Sequence, residues 1–308
     1  KVTFDGQGNI TLWAYEGKDL FMQNNGPRFD RYRWIENDNP MEAYGNDPTD
    51  NGVKSQTATF QLSDDGKTAT VNVTQNGNYG KATYKYTVNA NGTIDLASSF
   101  EAQGNGARRL GFSLNFPSDM SKVRYYARGP LSSYIDRLDG EDFGIYETTV
   151  KDMYVPFAHP QSNGNRVGLR WLTLTNNEGT GVKVETAGDV AFSLTPWTDA
   201  ELRTARHEWE LPTSNRTVAH FDAIQQGLGN KSCGPGPLSK YEIQKGKTYS
   251  NIVRFIPFSE AADDTPDGIS AVVNSATTMA QVYDLSGRRL PEPPAKGFYI
   301  QGGKVHAN

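Results

Sequence analysis

Alternating apolar and polar residues recur along residues 1–257 and predict short β-strands. The runs at 58–62, 69–73 and 84–88 each end at a glycine turn, of which Asn91-Gly92 is a strong hairpin signal. Only residues 200–210 are predicted as a helix, and it is short. Further strands are predicted at 94–100, 110–116, 123–128, 165–174, 182–186, 190–194, 218–224 and 249–257. These patterns predict an all-β fold, a large antiparallel sandwich.

The first forty residues are less regular than the rest of the sandwich. Residues 1–20 are predicted to hold two short strands, and residues 21–30 a loop that contains Asn24 and Asn25. Residues 41–52 are polar and predicted to be irregular.

The composition changes after the last predicted strand, where residues 259–268 are mainly Ala, Asp, Thr and Pro. Such a composition is typical of a linker. Beyond it, strand-like runs are expected at 282–285 and 297–300, with turns at 286–289 and 302–303. The sequence therefore predicts a sandwich domain (residues 1–258), a linker (259–278) and a small β tail (279–308).

The chain has 308 residues, which is enough for a sizeable core in one large or two smaller domains. Its formal net charge is −4. There is no basic block, so we expect no nucleic-acid partner. No apolar run is long enough to cross a bilayer, so we expect no membrane insertion. Lys1 opens into a strand-like pattern, so no signal peptide is expected here. The single cysteine excludes an intrachain disulfide and a cysteine-rich zinc site, but does not decide the compartment.

Residues 123–171 contain a long excursion, the central loop, in which Arg and Tyr recur between Gly and Pro. One interpretation is a buried polar loop in which Arg128, Asp136 and Arg137 satisfy each other and nearby carbonyls. The other is that the loop shapes a sugar-binding face. We expect Arg128 and Arg137 to be buried and paired, chiefly with Asp136 or with loop carbonyls.

No complete active site is recognisable in the sequence. Glycoside cleavage needs two carboxyl groups that flank the scissile bond. The local carboxylates lie in no acid/base motif, and Ser232 and Cys233 have no obvious His or Asp partners. His207 and His220 are too isolated to predict a metal site. The carboxylates considered are Glu36, Asp38, Asp136, Asp139, Glu141 and Asp142.

The motifs of the central loop resemble the C-terminal small-chain domain of family 2 β-galactosidases. The likeness extends upstream to the Arg-Trp-Ile-Glu-Asn-Asp run at 33–38 and downstream to Gly227-Leu228-Gly229, so it covers roughly residues 1–257. The motifs are Tyr-Tyr-Ala-Arg-Gly-Pro (125–130), Tyr-Ile-Asp-Arg (134–137), Tyr-Val-Pro-Phe (154–157), Pro-Gln-Ser-Asn-Gly-Asn-Arg (160–166) and Arg-Trp (170–171).

The resemblance implies a β-supersandwich of the galactose mutarotase type, within a parent enzyme that hydrolyses terminal β-galactosides with retention. In that family the catalytic glutamates and the Mg and Na sites lie on a preceding TIM barrel, which is absent from this sequence. The resemblance therefore implies no catalytic residue, metal or cofactor in this chain. The implied partners are a β-galactoside and the barrel, and the parent is a candidate homo-oligomer.

The resemblance also implies that two loops, at residues 17–28 and 227–236, reach toward the barrel. If they converge, they form one concave rim. The candidate substrate-binding residues are Gly17, Asn24, Asn25, Asn230, Lys231, Ser232 and Cys233. The residues expected to support them are Arg33, Asn37, Asp38, Arg128, Asp136, Arg137, Asn163, Arg166 and Arg170.

This sequence departs from the family pattern at several points. The tryptophan that stacks on sugar after the Gly-x-Gly turn is missing, so the rim is expected to select by hydrogen bonds and shape. Ser132 and Ser133 replace a glutamate and an asparagine, and Ser162 replaces another glutamate. A different aglycone, or a related glycoside, is therefore an open alternative.

The tail, in which 282–289 reads Val-Tyr-Asp-Leu-Ser-Gly-Arg-Arg, resembles the sorting domains of secreted Gram-negative enzymes. That resemblance implies a periplasmic or extracellular location, and the alternative is a small β addition to the sandwich. For the whole chain, two rival functions stay open: a free-standing carbohydrate-binding module and a purely structural or oligomerisation domain.

Overall fold

The structure is a computed structural model. It describes residues 1–36, 52–103, 107–229 and 236–261, together with four short strands of the C-terminal region. The chain divides into two compact units, residues 1–263 and 264–308, and each is described by itself.

The described residues of the first unit form fifteen strands and two short α-helices. The helices are α1 (Val150–Met153) and α2 (Asp199–Thr204), and single 3-10 turns lie at Leu138–Gly140, Glu208–Glu210 and Ser239–Tyr241. The strands are β1 (Val2–Phe4), β2 (Ile10–Tyr15), β3 (Lys18–Asp19), β4 (Arg28–Asp30), β5 (Val53–Leu62), β6 (Thr68–Gly77), β7 (Gly80–Asn89), β8 (Ile94–Ala102), β9 (Arg109–Pro117), β10 (Lys122–Gly129), β11 (Asp142–Thr149), β12 (Arg166–Thr175), β13 (Thr180–Thr195), β14 (Arg216–Gln225) and β15 (Thr248–Ser259).

One large antiparallel sheet carries most of the unit, in the order β11-β10-β12-β13-β15-β8-β7-β6-β5. The long strand β13 branches it, because residues 180–187 pair with β15 and residues 191–195 pair with β14. Strand β14 then pairs with β9, and β9 with β4, while β1, β2 and β3 form a small separate sheet. The sheet therefore curls so that its two parts enclose a core.

The core is built from the inward-facing residues of the alternating strands, as the sequence pattern predicts. Phe255 lies near its centre, with ring centroids of Phe21 at 5.2 Å, Phe221 at 5.9 Å and Trp13 at 6.1 Å. These edge-to-face arrangements are the ones that aromatic rings prefer, and each ring removes a large apolar area from water. The large antiparallel all-β sandwich is thus confirmed.

Five local predictions differ from the structure. Residues 1–20 hold three short strands, β1 to β3, where two were predicted. Residues 28–30 of the predicted loop form β4. Strand β11 lies where no period was found, because its apolar Phe143 and Ile145 are 40% and 53% exposed instead of facing the core. The strands predicted at 182–186 and 190–194 are one strand, which passes through Gly188 at a φ of +91°. The predicted helix at 200–210 is α2 followed by a separate 3-10 turn.

The second unit contains strands β16 (Val282–Tyr283), β17 (Arg289–Leu290), β18 (Phe298–Gln301) and β19 (Lys304–Ala307), in the antiparallel order β17-β16-β18-β19. Arg289 begins a strand, so the predicted turn at 286–289 ends earlier than expected. Residues 262–278 of the predicted linker and the turn at 302–303 lie outside the described residues. In the part of the chain that the structure describes, no helix has the length and apolar character needed to span a membrane.

Candidate functional site

Four segments meet at one end of the sandwich, which we call the loop end. Here β10 and β14 finish while β9 and β12 begin, so that Gln225 lies opposite Arg109. Backbone hydrogen bonds join the segments: Ser133 N donates to Asn165 O (2.8 Å), and Ser162 N donates to Trp34 O (2.6 Å). The loop end comprises residues 31–36, 129–141, 154–165 and 226–229.

Under the loop end lies a buried charged cluster, the polar layer, formed by Asp30, Arg109, Asp199, His220 and Asp222. The guanidinium of Arg109 lies 3.4 Å from Asp199, 3.8 Å from Asp30 and 3.9 Å from Asp222. Nδ1 of His220 donates to Oδ2 of Asp30 at 2.7 Å. All five residues are at most 9% exposed. Three carboxylates therefore share one arginine and one histidine where little water can reach them.

The two carboxylates nearest the sheet, Asp30 and Asp222, differ in proton affinity. Burial would raise the pKa of Asp30, but the hydrogen bond from His220 and the charge of Arg109 hold this pKa below its usual value. Burial raises the pKa of Asp222, and Arg109 and His220 only partly offset it. Asp222 Oδ1 also has no hydrogen-bond partner among the described residues. Asp30 thus stays ionised most readily, and Asp222 is the better proton acceptor.

The segment 31–36 and helix α2 cover the polar layer. Trp34 N donates to Oδ1 of Asp199 at 2.8 Å, and the indole N–H of Trp34 donates to Pro160 O at 2.9 Å. Asp199 begins α2, where Thr198 and Glu201 form a capping box that fixes the start of the helix. A second small apolar cluster closes the cover and consists of Tyr32, Trp34, Tyr154 and Leu202.

Asp136 ties the central loop to the loop that follows β14. Its Oδ2 accepts a hydrogen bond from Gly229 N at 2.8 Å, and its side chain is 8% exposed. Gly227 lies against the same carboxyl group, since a Cβ there would be 2.8 Å from Asp136 Cγ. Arg137 Nη2 donates to Gly229 O at 2.7 Å. The central loop therefore fixes both polar groups of Gly229, next to the candidate sugar-binding residues 230–233.

Two other supporting arginines bind backbone carbonyls of the loop end. Arg33, which is fully buried, donates from Nη1 to Gln226 O at 2.5 Å. Arg128 donates from Nη1 to Leu138 O at 2.9 Å and to Glu141 O at 2.8 Å. These bonds hold the two loops on either side of Asp136.

The remaining supporting residues also act on the backbone. Asn163 exchanges two hydrogen bonds with Val155, accepting from its N–H at 2.8 Å and donating to its carbonyl at 3.0 Å. Arg166 donates to three carbonyls, and Arg170, which is exposed, donates to Gly188 O at 2.8 Å. The interpretation of the central loop as a loop held by arginine–carbonyl bonds fits these contacts.

The expected burial of Arg137 is wrong, because its side chain is 48% exposed. It lies at the surface because its partner, the carbonyl of Gly229, is at the rim of the loop end. Its Nε is 3.9 Å from Oδ1 of Asp136, a long and partly solvated contact.

The expected convergence of the two substrate loops is also wrong for their described parts. Asn25 is bonded to Asn115 near the far end of β9, whereas Gly227 follows Gln225, which lies opposite Arg109 at its start. Asn115 is six residues after Arg109, which corresponds to about 20 Å along a strand. The antiparallel ladder thus places Asn24 and Asn25 away from the loop end. Gly17, in the turn between β2 and β3, has open space around it.

Some predicted site residues lie outside the described residues. They are Asn37, Asp38, Asn230, Lys231, Ser232 and Cys233.

Sequence reasoning missed most of the polar layer. Arg109, His220 and Asp222 lie on strands whose alternate residues, such as Leu110 and Phe221, fill the core. The signal was present, because the other face of these strands carries charged residues. The sequence could not show that this face is buried, since no local pattern indicates that 31–36 and α2 cover it.

Neither the polar layer nor the described carboxylates singled out in the sequence provide a recognisable acid/nucleophile pair that is open to a ligand. Asp30, Asp199 and Asp222 are buried in the polar layer, and Asp139 and Asp142 are exposed. Glu36 contacts His159 at 3.0 Å, and Glu141 accepts from Leu131 N at 2.9 Å. No group of three or more His, Cys, Asp or Glu suited to a metal ion occurs among the described residues.

Comparison with known proteins identifies the family to which this chain belongs. The sequence model described as "Beta galactosidase small chain" matches residues 1–255. A β-galactosidase of Lactobacillus delbrueckii subsp. bulgaricus is 34% identical over 152 residues, which are 49% of this chain and 15% of that protein. One from Arthrobacter sp. (strain B7) is 32% identical over 132 residues, which are 41% of this chain and 13% of that protein. The chain therefore spans only a small part of the length of these relatives.

Similar solved structures include a putative aldose 1-epimerase from Escherichia coli. It is 12% identical with a TM-score of 0.41, and the match covers 83% of this chain and 94% of that chain. At this distance the likeness carries no argument about function.

Proposed function

Because the chain belongs to the β-galactosidase small-chain family, we propose that it is the C-terminal domain of a family 2 β-galactosidase. The parent hydrolyses terminal β-D-galactosides with retention, and this domain completes the active site and supports the catalytic barrel. The observation that carries the proposal is the family match over residues 1–255, which includes the whole loop end.

The contribution of the domain is positional. The loop end faces the barrel, and Asp136 and Arg137 fix Gly229, which directly precedes the candidate sugar-binding residues 230–233 in the sequence. The polar layer supports this rim, because buried charges that share hydrogen bonds restrict the loops to one arrangement. Preorganised contacts of this kind are what keeps a substrate in a reactive position.

The bond-breaking carboxylates come from the barrel. A retaining mechanism needs a nucleophile and an acid/base about 5 Å apart with access to the sugar. Asp30 and Asp222 are 7% and 0% exposed, so neither can reach a glycosidic bond. The Mg and Na sites of the parent belong to the barrel as well.

The first prediction is that the 308-residue chain does not hydrolyse o-nitrophenyl β-D-galactoside above the buffer rate. The measurement is release of nitrophenol, with the complete gene product as the positive control. Turnover by the chain that disappears on replacing one of its carboxylates would contradict the proposal. If the chain is retained on immobilised galactose and its gene encodes no barrel, the result would favour a free-standing binding module instead.

The tail leads to a proposal about location. Its resemblance to sorting domains supports a periplasmic or extracellular parent, and a parent confined to the cytoplasmic fraction of the producing cells would contradict it.

A further inference from the structure

A half-enclosed cavity of about 240 Å³ opens beside the central loop, at the edge of the sheet where β10 pairs with β11. Tyr125 and Arg166 lie along it, and Ser132 of the central loop forms one side. Tyr146 of β11 and Asp152 of α1 form the other sides. Nothing in the proposed function uses this cavity.

Arg166 is the unusual member of the lining, because it is a buried cation whose hydrogen-bond partners among the described residues are all carbonyl oxygens. It is 4% exposed and donates to the carbonyls of Gly164 (2.5 Å), Pro130 (2.8 Å) and Met153 (3.4 Å). These are three of the five donors of a guanidinium. In the described part of the chain, its Nε is buried without an acceptor, and the three carbonyls are its hydrogen-bond partners. A buried charge without a counter-charge is costly unless oxygen acceptors surround it.

Two tyrosine rings form a rigid wall of the cavity. The centroids of Tyr125 and Tyr146 lie 5.5 Å apart. The Tyr125 hydroxyl donates to Pro130 O at 3.2 Å, and the Tyr146 hydroxyl donates to Asp142 O at 3.0 Å. Gly129 leaves room for the Tyr146 ring, since a Cβ there would be 3.0 Å from it. Both rings are therefore held in place before any ligand arrives.

Two carboxylates complete the lining, Glu147 and Asp152. Glu147 is 77% exposed on its side chain and pairs with Arg124 at 3.3 Å, and Asp152 accepts from the Thr149 hydroxyl at 2.7 Å. Each carboxylate keeps further lone pairs for a ligand donor. They would repel an anion, while Arg166 would repel an amine. A ligand that is uncharged and carries both donors and acceptors suits all three groups.

We propose that this cavity binds one uncharged sugar ring. Its hydroxyl oxygens accept from the Arg166 side and its hydroxyl protons are donated to Asp152 and Glu147, while the ring lies against Tyr146. The volume of about 240 Å³ is below the range of drug-sized pockets, so one pyranose is the appropriate size. The inference depends on the residues of the cavity and not on the activity of the parent.

The test uses the full chain, D-galactose and D-glucose as sugar probes, and sodium acetate as the anionic probe. Ser132→Leu fills the cavity without removing a support, because the Ser132 side chain makes no hydrogen bond within the described residues. Ser55→Leu is the matched control, on the exposed strand β5 at the other edge of the sheet. Binding is measured by calorimetry and by saturation-transfer NMR, and folding of each variant by thermal unfolding.

We expect at least one sugar to bind the natural chain and Ser55→Leu equally, and Ser132→Leu at least about tenfold more weakly. Equal affinity in both variants, no sugar binding at the highest soluble concentration, or binding of acetate but not of sugar would each overturn the proposal. If Ser132→Leu fails to fold, a crystal of the natural chain soaked in the sugar decides the question. Sugar density beside Arg166 supports the site, and an empty cavity refutes it.

Discussion

At the scale of single residues, His220 determines how Asp30 and Asp222 of the polar layer differ in proton affinity. Arg109 is at almost the same distance from Asp30 and Asp222, so its charge alone does not distinguish these two carboxylates. The hydrogen bond from His220, at 2.7 Å, stabilises ionised Asp30 only. The pKa of Asp30 is therefore lowered while the pKa of Asp222 is raised by its burial.

Replacing His220 tests this balance. His220→Ala should lower the free energy of unfolding by about 1.5–3 kcal/mol, because a buried hydrogen bond to a charged group is lost. His159→Ala is the matched control, since His159 pairs with Glu36 at 3.0 Å but is 31% exposed. The control should lose less than about 1 kcal/mol. Denaturant unfolding measures the loss of unfolding free energy in both variants. Equal losses would show that burial of the His220–Asp30 pair has no energetic role.

Residue roles in the central loop were only partly predictable from the sequence. The abundance of Arg beside Gly and Pro indicated arginine–carbonyl bonds, and Arg128 and Arg166 make them. The exposure of Arg137 could not be predicted, because it depends on where a carbonyl 92 residues away lies. Sequence identifies the donors, but the fold decides which acceptors they meet.

At the scale of elements, Gly111 of β9 allows the two strands on either side of it, β4 and β14, to carry facing carboxylates. Asp30 of β4 and Asp222 of β14 are both directly opposite Gly111 of β9 in the ladder. A Cβ at Gly111 would lie 2.4 Å from Phe221 O and 2.5 Å from Asp222 Oδ1. A side chain here would therefore force the strand away from the polar layer.

Gly111→Ala should consequently destabilise the sandwich by about 1–3 kcal/mol, the range for overpacking a buried site. Gly140→Ala is the control, because nothing lies within 4 Å of a Cβ at that position. The control should stay within about 0.5 kcal/mol of the natural chain. A thermal melt of Gly111→Ala that coincides with that of Gly140→Ala would contradict the close approach.

The elements themselves were largely predictable, because strands that face one core alternate in polarity. That rule found β6 to β10 and also β14 and β15, but it missed β11, whose apolar residues Phe143 and Ile145 face outward. It could not show that the polar face of β9 and β14 is covered. That cover comes from residues distant in the sequence, and alternation records only which face of a strand is apolar.

At the scale of the whole molecule, the fold separates the loops that the sequence had brought together. The segment around Asn25 lies near the far end of β9, while Gly227–Gly229 belongs to the loop end. The proposal for the parent enzyme therefore depends on one rim, held by Asp136, instead of two converging loops. Contacts across 93 residues, such as Asp136 to Gly229, leave no local trace in a single sequence.

The most direct test of this account is the galactoside kinetics of the complete gene product with Asp136→Ala, Asp136→Asn and Asp139→Ala. Asp136 holds Gly229 N at 2.8 Å, whereas Asp139 is exposed on the same loop and serves as the control. We predict that Asp136→Ala lowers kcat/KM about tenfold, which corresponds to about 1.4 kcal/mol, the contribution of one hydrogen bond. Asp136→Asn keeps an acceptor oxygen and should retain most of the activity, with Asp139→Ala unchanged. Kinetics of Asp136→Ala that match those of Asp139→Ala, in a folded enzyme, would contradict the claim that this rim completes the active site.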